Sequence, residues 1–208
     1  DEVFAKRFVA HLPYPLTNDQ KRTAWVILQD LEKSLPMRRL LQGDVGSGKT
    51  VVAAFVAAQV QRAGASVALL APTDILARQH AESLRAFFAS FHISLILLTR
   101  TDKRAFFDGL IEELSTEEAE ARIERGNCIL VGTHALLQNK RIPPDLALAI
   151  VDEQHRFGVA QREILAHPKR PDGLVAHLLS MTATPIPRSL ALTLHGDLDL
   201  SLIREKPK

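Results

Sequence analysis

Short runs of apolar residues alternate along the chain with longer segments in which apolar residues recur every three or four positions. Apolar runs of this length indicate buried strands, and the longer periodic segments indicate amphipathic helices. Strands are predicted at residues 39–42, 66–71, 93–99, 128–133, 146–152 and 177–182. Helices are predicted at residues 18–34, 49–63, 74–90, 103–113, 116–125, 159–166 and 188–194. This alternation is typical of an α/β domain whose mostly parallel sheet carries helices on both faces.

Length and composition favour one soluble domain. The chain has 208 residues, of which 46% are hydrophobic, and no apolar stretch approaches the roughly 18 residues that a membrane helix needs. Its 26 basic and 24 acidic residues give a net charge of +2, so any contact with DNA is expected to be local. Cys128 starts an apolar run, which favours a buried and unreactive thiol in a reducing cytoplasm.

Residues 43–50 match the pattern G-x-x-x-x-G-K-[ST] and stand between an apolar strand and a helix. Glycines let backbone N–H groups wrap phosphate oxygens, and the helix that follows adds its positive end. Lys49 is expected to reach the β- and γ-phosphates, and the Thr50 hydroxyl to bind Mg²⁺. A chance glycine turn is the alternative. The predicted phosphate-binding residues are Gly43, Asp44, Val45, Gly46, Ser47, Gly48, Lys49 and Thr50.

Two carboxylates, Asp152 and Glu153, follow the apolar run 148–151. At the end of a buried strand, Asp152 would hold Mg²⁺ and Glu153 would orient a water molecule and accept its proton. An Asp-Glu pair is commonly a solvated surface feature, but the strand before it favours a catalytic role. Ser180 and Thr182 end another apolar run and are expected at the same edge of the sheet, unless they form an ordinary turn.

Five blocks resemble, in order, the motifs of superfamily two helicases. They read GDVGSGKT at 43–50, APTDILARQH at 71–80, VGTHAL at 131–136, DEQH at 152–155 and MTATP at 181–185. The segments 13–20 and 152–159 make the chain similar to the RecG family in particular. The segments 181–191 and 196–201 also resemble the part of RecG-family proteins that joins their two motor domains. The resemblance covers nearly the whole chain and implies a RecA-like P-loop NTPase domain, the first of two motor domains.

The resemblance, and not the spacing, assigns further roles. Gln20 would read the adenine, with Thr17 beside the nucleotide. Coupling of the ATP site to DNA is implied for Gln154, His155, Ser180 and Thr182. Contacts along a DNA strand are implied for Pro72, Thr73, Arg78, Gln79, Gly132, Thr133 and His134. The plain alternatives are a turn cap for His155, an exposed helix residue for Gln20 and a solvated face for Arg78.

The chain departs from the family pattern in two places. Residues 98–103 lack the Gly-Ser that usually follows this strand, so we expect a backbone contact to a DNA phosphate to be lost. Residues 108–125 form a longer and more acidic connection than usual, and that surface is expected to repel DNA.

The resemblance implies an ATP-dependent DNA helicase or translocase that remodels replication forks and Holliday junctions in recombination and repair. Its cofactors would be ATP and Mg²⁺. Its partners would be branched duplex DNA, a second motor domain and an N-terminal wedge domain, with no membrane association. The predicted boundaries are 1–203 for the motor domain and 204–208 for the start of a linker. The protein is expected to be a cytoplasmic monomer.

Other functions stay open. The transcription-repair coupling translocase has a similar motor, but Gln154 favours the RecG family because the coupling factor usually has glutamate there. A nucleotide-sensing module or a small P-loop phosphotransferase belongs to a different class, and Glu153 argues against the phosphotransferase. Because a second motor domain supplies arginines to the ATP site, we expect this chain alone to bind Mg²⁺–ATP and hydrolyse it very slowly.

Overall fold

The computed structural model of the chain describes residues 1–139, 141–152, 173–184 and 198–207. Its helices in those ranges are α1 (Glu2–His11), α2 (Asn18–Leu31), α3 (Lys49–Arg62), α4 (Asp74–Phe88), α5 (Thr116–Glu124) and α6 (Ala135–Gln138). Its strands there are β1 (Arg38–Gly43), β2 (Ser66–Ala71), β3 (Leu95–Leu98), β4 (Lys103–Phe107), β5 (Leu110–Glu113), β6 (Ile129–Thr133), β7 (Leu146–Asp152), β8 (His177–Thr182) and β9 (Asp199–Ile203). The predicted α/β class is confirmed.

The strands of the described ranges form one sheet in the order β5-β4-β3-β6-β2-β7-β8-β1-β9. From β3 to β9 every neighbouring pair is parallel, whereas β4 and β5 add an antiparallel hairpin at one edge. Parallel strands present their carboxyl ends at one edge of the sheet, where binding sites of α/β domains lie.

Both faces of the sheet are buried at its central strands. On β2, Leu69 belongs to the hydrophobic cluster shared with α1 to α4, and Leu70 belongs to the cluster shared with α5 and α6. Ile150 and Val151 of β7 divide between the two clusters in the same way. Since successive side chains of a strand point to opposite faces, two covered faces require an uninterrupted apolar run. This explains why the strands were visible in the sequence.

Helix α3 lies inside the first cluster, and residues 51–58 are all buried. Helix α1, which packs beside α3, was not predicted from the sequence. The rings of Phe4 and Phe91 have centroids 5.3 Å apart, and those of Phe8 and Phe55 are 5.4 Å apart. The four-residue spacing of Phe4 and Phe8 places both rings on one face of α1, so the helix covers the apolar surface of α3.

The prediction of a buried and unreactive thiol is confirmed, and the residues at two helix ends explain where those helices stop and start. Gly64 follows α3 with a φ of 87°, as a helix-ending glycine does. Ser115 and Glu118 form a capping box at the start of α5, with the Ser115 hydroxyl accepting from the Glu118 N–H. Cys128 is buried beside Ser66, and burial raises the pKa of its thiol to about 11, which leaves it protonated and unreactive.

The helix predicted at residues 103–113 is wrong, because this segment forms the β4–β5 hairpin. Phe107 pairs with Leu110 across the two-residue loop of Asp108 and Gly109, whose φ angles are 49° and 80°. An Asp-Gly loop with positive φ at both residues is the preferred turn of a two-residue hairpin. That turn signal outweighed the apparent helical spacing of the flanking residues.

Strand β9 was not predicted from the apolar pattern, and residues 196–201 were interpreted only through their resemblance to the RecG family. It pairs with β1 and buries only Ser201 and Ile203. An edge strand with so little apolar surface gives a weak signal. The strand predicted at 93–99 is shorter than expected, and the helices predicted at 159–166 and 188–194 lie outside the described residues.

A buried ion pair ties the β9 edge together. The Arg39 guanidinium, on β1, donates through Nε to Asp30 Oδ2 on α2 at 2.9 Å and through Nη1 to Ser201 Oγ at 3.0 Å. Burial alone would raise the pKa of Asp30, but hydrogen bonds from Lys33 and Arg39 hold that pKa below its ordinary value. The charged pair therefore stabilises the contact between α2, β1 and β9 above the lowered pKa.

We predict that Asp30→Ala lowers the free energy of unfolding by about 3–5 kcal/mol at pH 7, because Arg39 stays buried without its carboxylate. Urea denaturation measures the change, with the exposed neighbour Glu32→Ala as the control. The difference in the free energy of unfolding between the variant and wild type should become smaller as the pH falls through the lowered pKa of Asp30. Protonation of Asp30 in wild type removes the same charge that the substitution removes. A loss below about 1 kcal/mol, in the range of an ordinary surface substitution, would contradict this account.

Candidate nucleotide-binding site

Strands β1, β8 and β7 are neighbours, and their carboxyl ends bring the predicted site residues together. β1 ends at Gly43, β8 at Thr182 and β7 at Asp152. In the register of the sheet, Gln42 lies opposite Thr182 and Met181 lies opposite Asp152. The phosphate-loop strand, the acidic residue and Thr182 therefore share one edge, as the sequence predicted.

The loop between β1 and α3 has the geometry of an anion-binding turn. Gly46 and Gly48 have φ angles of 79° and 82°, which side-chain-bearing L residues rarely adopt. A Cβ atom on Gly43 would lie only 2.5 Å from Ser47 Oγ, so the loop closes only over glycine. Gly48 is the N-cap of α3 and offers no side-chain cap. The first N–H groups of α3 are thus available to an anion.

Lys49 and Thr50 open onto a cavity of about 320 Å³, which Tyr14, Gly46, Gly48 and Pro207 also line. The Lys49 ammonium donates to the carbonyl oxygens of Gly43 at 2.7 Å and Asp44 at 3.0 Å. Its charge therefore sits at the mouth of the loop. Tyr14 lines the cavity but was not predicted from the sequence as a site residue.

Gln20 supports the loop from behind. It is fully buried; its Nε2 donates to the Ser47 carbonyl oxygen at 2.8 Å, and its Oε1 accepts from the Thr17 N–H at 2.8 Å. Thr17 in turn caps α2 by accepting from the Gln20 N–H. A Cβ on Gly48 would lie 2.2 Å from Gln20 Nε2. The amide thus fixes the turn that presents Lys49, while its contact with adenine stays a prediction.

The segment after β9 fastens onto the same loop, and we call residues 204–207 the exit segment. Glu205 Oε2 accepts from the Asn18 N–H at 2.9 Å, and Asp19 Oδ2 accepts from the Arg204 N–H at 2.9 Å. The Lys206 ammonium contacts Asp44 Oδ2 at 2.6 Å. The hydrogen bond from Lys206 lowers the pKa of Asp44. The exit segment therefore joins the start of α2 to the outer turn of the loop.

Asp152 meets a histidine that the sequence reading did not select. His80, on α4, places Nε2 at 2.7 Å from Asp152 Oδ2, and both side chains are largely buried. His134 lies nearby: burial lowers its pKa, whereas the Asp152 charge opposes that shift. His80 lies in the block at 71–80. Its contact with Asp152 was not predicted, because no sequence spacing relates a helix residue to the end of a distant strand.

Other predicted coupling residues are placed only in part. Ser180 and Thr182 are buried within β8 between β7 and β1. Thr182 Oγ1 accepts from the Thr184 N–H at 3.2 Å, and Ser180 Oγ has no hydrogen-bond partner among the described residues. Glu153, Gln154 and His155 lie outside the described residues, so their roles stay predictions.

Predicted DNA contacts cluster at the ends of β2 and β6. Thr73 caps α4 by accepting from the Leu76 N–H, and Gln79 is exposed on that helix. Arg78 lies 3.2 Å through Nε from Asp102 and also donates to Thr101. Both partners lie in the segment 98–103, which was interpreted from the sequence as a departure from the resembled pattern. The departure therefore supplies an internal carboxylate to the arginine that the resemblance assigns to DNA.

At the end of β6, Gly132 has a packing reason to be glycine. A Cβ there would lie 2.4 Å from the Leu98 carbonyl oxygen and 2.4 Å from Leu136 Cδ1. Gly132 is buried, whereas Thr133 and His134 are partly exposed, and Pro72 is partly exposed at the end of the adjacent β2. The last three are the residues that a strand passing over this edge could reach.

Arginines partly balance the acidic connection. The Arg122 guanidinium contacts Glu112 at 2.7 Å, and Arg141 contacts Glu120 at 2.6 Å. These pairs are partly exposed, so they reduce the local negative charge and add little stability. Repulsion of DNA by this surface stays a prediction.

Comparison with known proteins identifies the family. The DEAD/DEAH box helicase family model matches residues 17–193. The chain belongs to the DEAD/DEAH box helicase family. It is 43% identical over 208 residues to ATP-dependent DNA helicase RecG of Aquifex aeolicus, covering 100% of this chain and 25% of that protein. RecG of Haemophilus influenzae is 48% identical over 202 residues, covering 97% of this chain and 28% of that protein. The resemblance to RecG is confirmed.

Solved structures agree with this membership. The structure of RecG bound to a three-way DNA junction matches with a TM-score of 0.80 and 38% identity, covering 100% of this chain and 26% of that one. The UvsW helicase from bacteriophage T4 matches with a TM-score of 0.61 at 13% identity, covering 99% and 68%, and shows the fold alone. The chain spans about a quarter of the length of the RecG relatives. No helix within the described ranges is long and apolar enough to cross a membrane.

We predict that Gln20→Ala weakens nucleotide binding and lowers the free energy of unfolding by about 1–3 kcal/mol, because the buried Ser47 carbonyl loses its donor. Thermal unfolding and calorimetric titration measure the two effects. Gln29→Ala, an exposed glutamine of the same helix, is the matched control. If Gln20 supports the loop, the variant should lose equal affinity for ATP and GTP. A loss of affinity for ATP alone would show that Gln20 acts by reading adenine.

Proposed function

We propose that this chain is the first ATP-binding motor domain of an ATP-dependent DNA helicase or translocase that remodels branched DNA. The observation that carries the proposal is the meeting of the phosphate loop and Asp152 at one sheet edge, next to the strand ends assigned to DNA. The similarity to RecG bound to a three-way junction supports DNA, and branched DNA in particular, as the partner.

The residues of the edge fit Mg²⁺–ATP. The N–H groups of the glycine loop and the start of α3 suit phosphate oxygens. Lys49 would supply a cation by leaving the carbonyl oxygens of Gly43 and Asp44 and binding the phosphates instead. Thr50 lines the cavity and Asp152 ends β7, so both offer the oxygen atoms that Mg²⁺ prefers. When bound, Mg²⁺ would neutralise charge that develops on the phosphates. Glu153 is proposed to orient the attacking water.

DNA is proposed to lie across the ends of β2 and β6, along Thr73, Gln79, Thr133 and His134. Arg78 would join this surface only by exchanging Asp102 for a phosphate. Asp102 and a DNA phosphate are both anionic, so binding DNA would cost Arg78 its contact with Asp102. The contact of Arg78 with DNA is therefore expected to be weaker than that of an unpaired arginine. With a net charge of +2, the domain is expected to bind DNA through this local surface.

The whole protein is proposed to act at replication forks and Holliday junctions in recombination and repair, as a cytoplasmic monomer. A second motor domain would complete the ATP site, and an N-terminal wedge domain would engage the branch. The RecG names of the relatives favour this function over transcription-repair coupling. One motor domain without its partner has nothing to close against, so this chain by itself is not expected to unwind DNA.

We predict that Lys49→Ala abolishes measurable Mg²⁺–ATP binding by this chain, because the phosphates lose their main point charge. Isothermal titration calorimetry measures the affinity of each variant. Lys21→Ala, which removes an exposed lysine from α2, is the control and should bind as wild type does. Equal affinities for wild type and Lys49→Ala would contradict the proposed site.

Turnover tests the division of the site between two motor domains. We expect this chain to hydrolyse ATP about 10³- to 10⁵-fold more slowly than the full-length protein with branched DNA, because arginine fingers have effects of that size. A coupled assay with and without a three-way junction measures both. Robust hydrolysis by the chain alone would contradict a split site.

A further inference from the structure

Helix α4 faces two sites at once. It follows β2, and β2 is paired with β7, so that Leu70 lies opposite Val151 in the register. The start of α4 therefore stands beside the end of β7. Arg78 and Gln79 are directed toward the surface, whereas His80 is turned inward next to the buried residues Ala77 and Ala81.

The inward residue reaches the acidic end of β7. His80 Nε2 lies 2.7 Å from Asp152 Oδ2, and the side chains are only 12% and 14% exposed. A hydrogen bond to an ionised carboxylate that is shielded from water is stronger than a neutral or exposed one. Each carboxylate oxygen accepts at more than one position, so this bond leaves Asp152 able to serve a cation as well.

We propose that His80 is a positioning residue, which holds the Asp152 carboxylate in the orientation that Mg²⁺–nucleotide binding requires and links that orientation to the position of α4. The inference rests on the proposed function of the site. Groups that hydrogen-bond to a metal-binding carboxylate fix its direction, and their removal typically lowers metal affinity about 10- to 100-fold. His80 would not touch the nucleotide or the reacting atoms.

The same contact gives a physical route from DNA to the ATP site. Arg78 and Gln79 occupy the surface assigned to DNA, and His80 is the next residue along the helix. A helix moves as a rigid unit, so a shift of α4 on DNA changes the distance from His80 to Asp152. The hydrogen bond between His80 and Asp152 is the only one that this route from the DNA surface to the ATP site requires.

The test compares nucleotide affinity with and without the metal, using this chain. We expect His80→Ala to weaken ATP binding about 10- to 100-fold in Mg²⁺ and to leave binding in EDTA unchanged. His80→Gln, whose amide nitrogen can donate from a similar place, should recover most of the affinity. His92→Asn is the matched control, because it removes a second imidazole–carboxylate contact, with Asp108, that lies on the β3–β4 side of the domain. Circular dichroism verifies that each variant is folded.

A double-mutant cycle separates positioning from folding. In an Asp152→Asn background, His80→Ala should cause no further loss in Mg²⁺, because the group that it orients is gone. Equal losses in Mg²⁺ and EDTA, no loss at all, or additive losses in the double variant would overturn the role of His80. Failure of wild type to bind Mg²⁺–ATP would instead overturn the proposed function, and with it this inference.

The DNA arm of the proposal is measured in the full-length protein. Branched DNA should stimulate ATP turnover by wild type more strongly than turnover by the His80→Ala variant, after each rate is taken at saturating Mg²⁺–ATP. Equal stimulation of the two proteins would show that α4 does not transmit DNA binding through His80.

Discussion

The parallel pairing of β7, β8 and β1 is the constraint on which the rest of the structure depends. Three strands that run the same way must end at the same edge, whatever their separation along the chain. Their register is set by packing, because a shift by one residue would move each side chain of a strand from one apolar cluster to the other. A glycine loop and a carboxylate more than a hundred residues apart in sequence thus meet without any direct contact having to bring them together.

Sequence patterns predicted the phosphate loop and six of the seven parallel strands of the described ranges, because each of these carries a strong local signal. The five consecutive apolar residues 67–71 of β2 indicate a buried element, and the loop requires glycine where φ is positive. The hairpin at 103–113 and the edge strand β9 were missed because exposed strands carry half the apolar content. His80 was missed for another reason: its partner is set by tertiary packing, and no spacing along the chain encodes it.

Charge in this domain is arranged locally, contact by contact. Arg39 is buried against Asp30, and Arg78 forms an ion pair with Asp102. In the acidic connection, Glu112 and Glu120 each contact an arginine. A nearly neutral chain can still bind an anionic polymer if a few cations change partners when the polymer arrives. The contact of Arg78 with Asp102 would then set how readily Arg78 makes that change.

The exit segment gives the domain an unusual attachment. The backbone that leaves β9 is tied within three residues both to the start of α2 and to Asp44 of the phosphate loop. A displacement of residues 204–207 would therefore disturb contacts with both the phosphate loop and the start of α2. Since coupling between two positions is reciprocal, a change in the loop at Asp44 would in turn disturb its contact with Lys206.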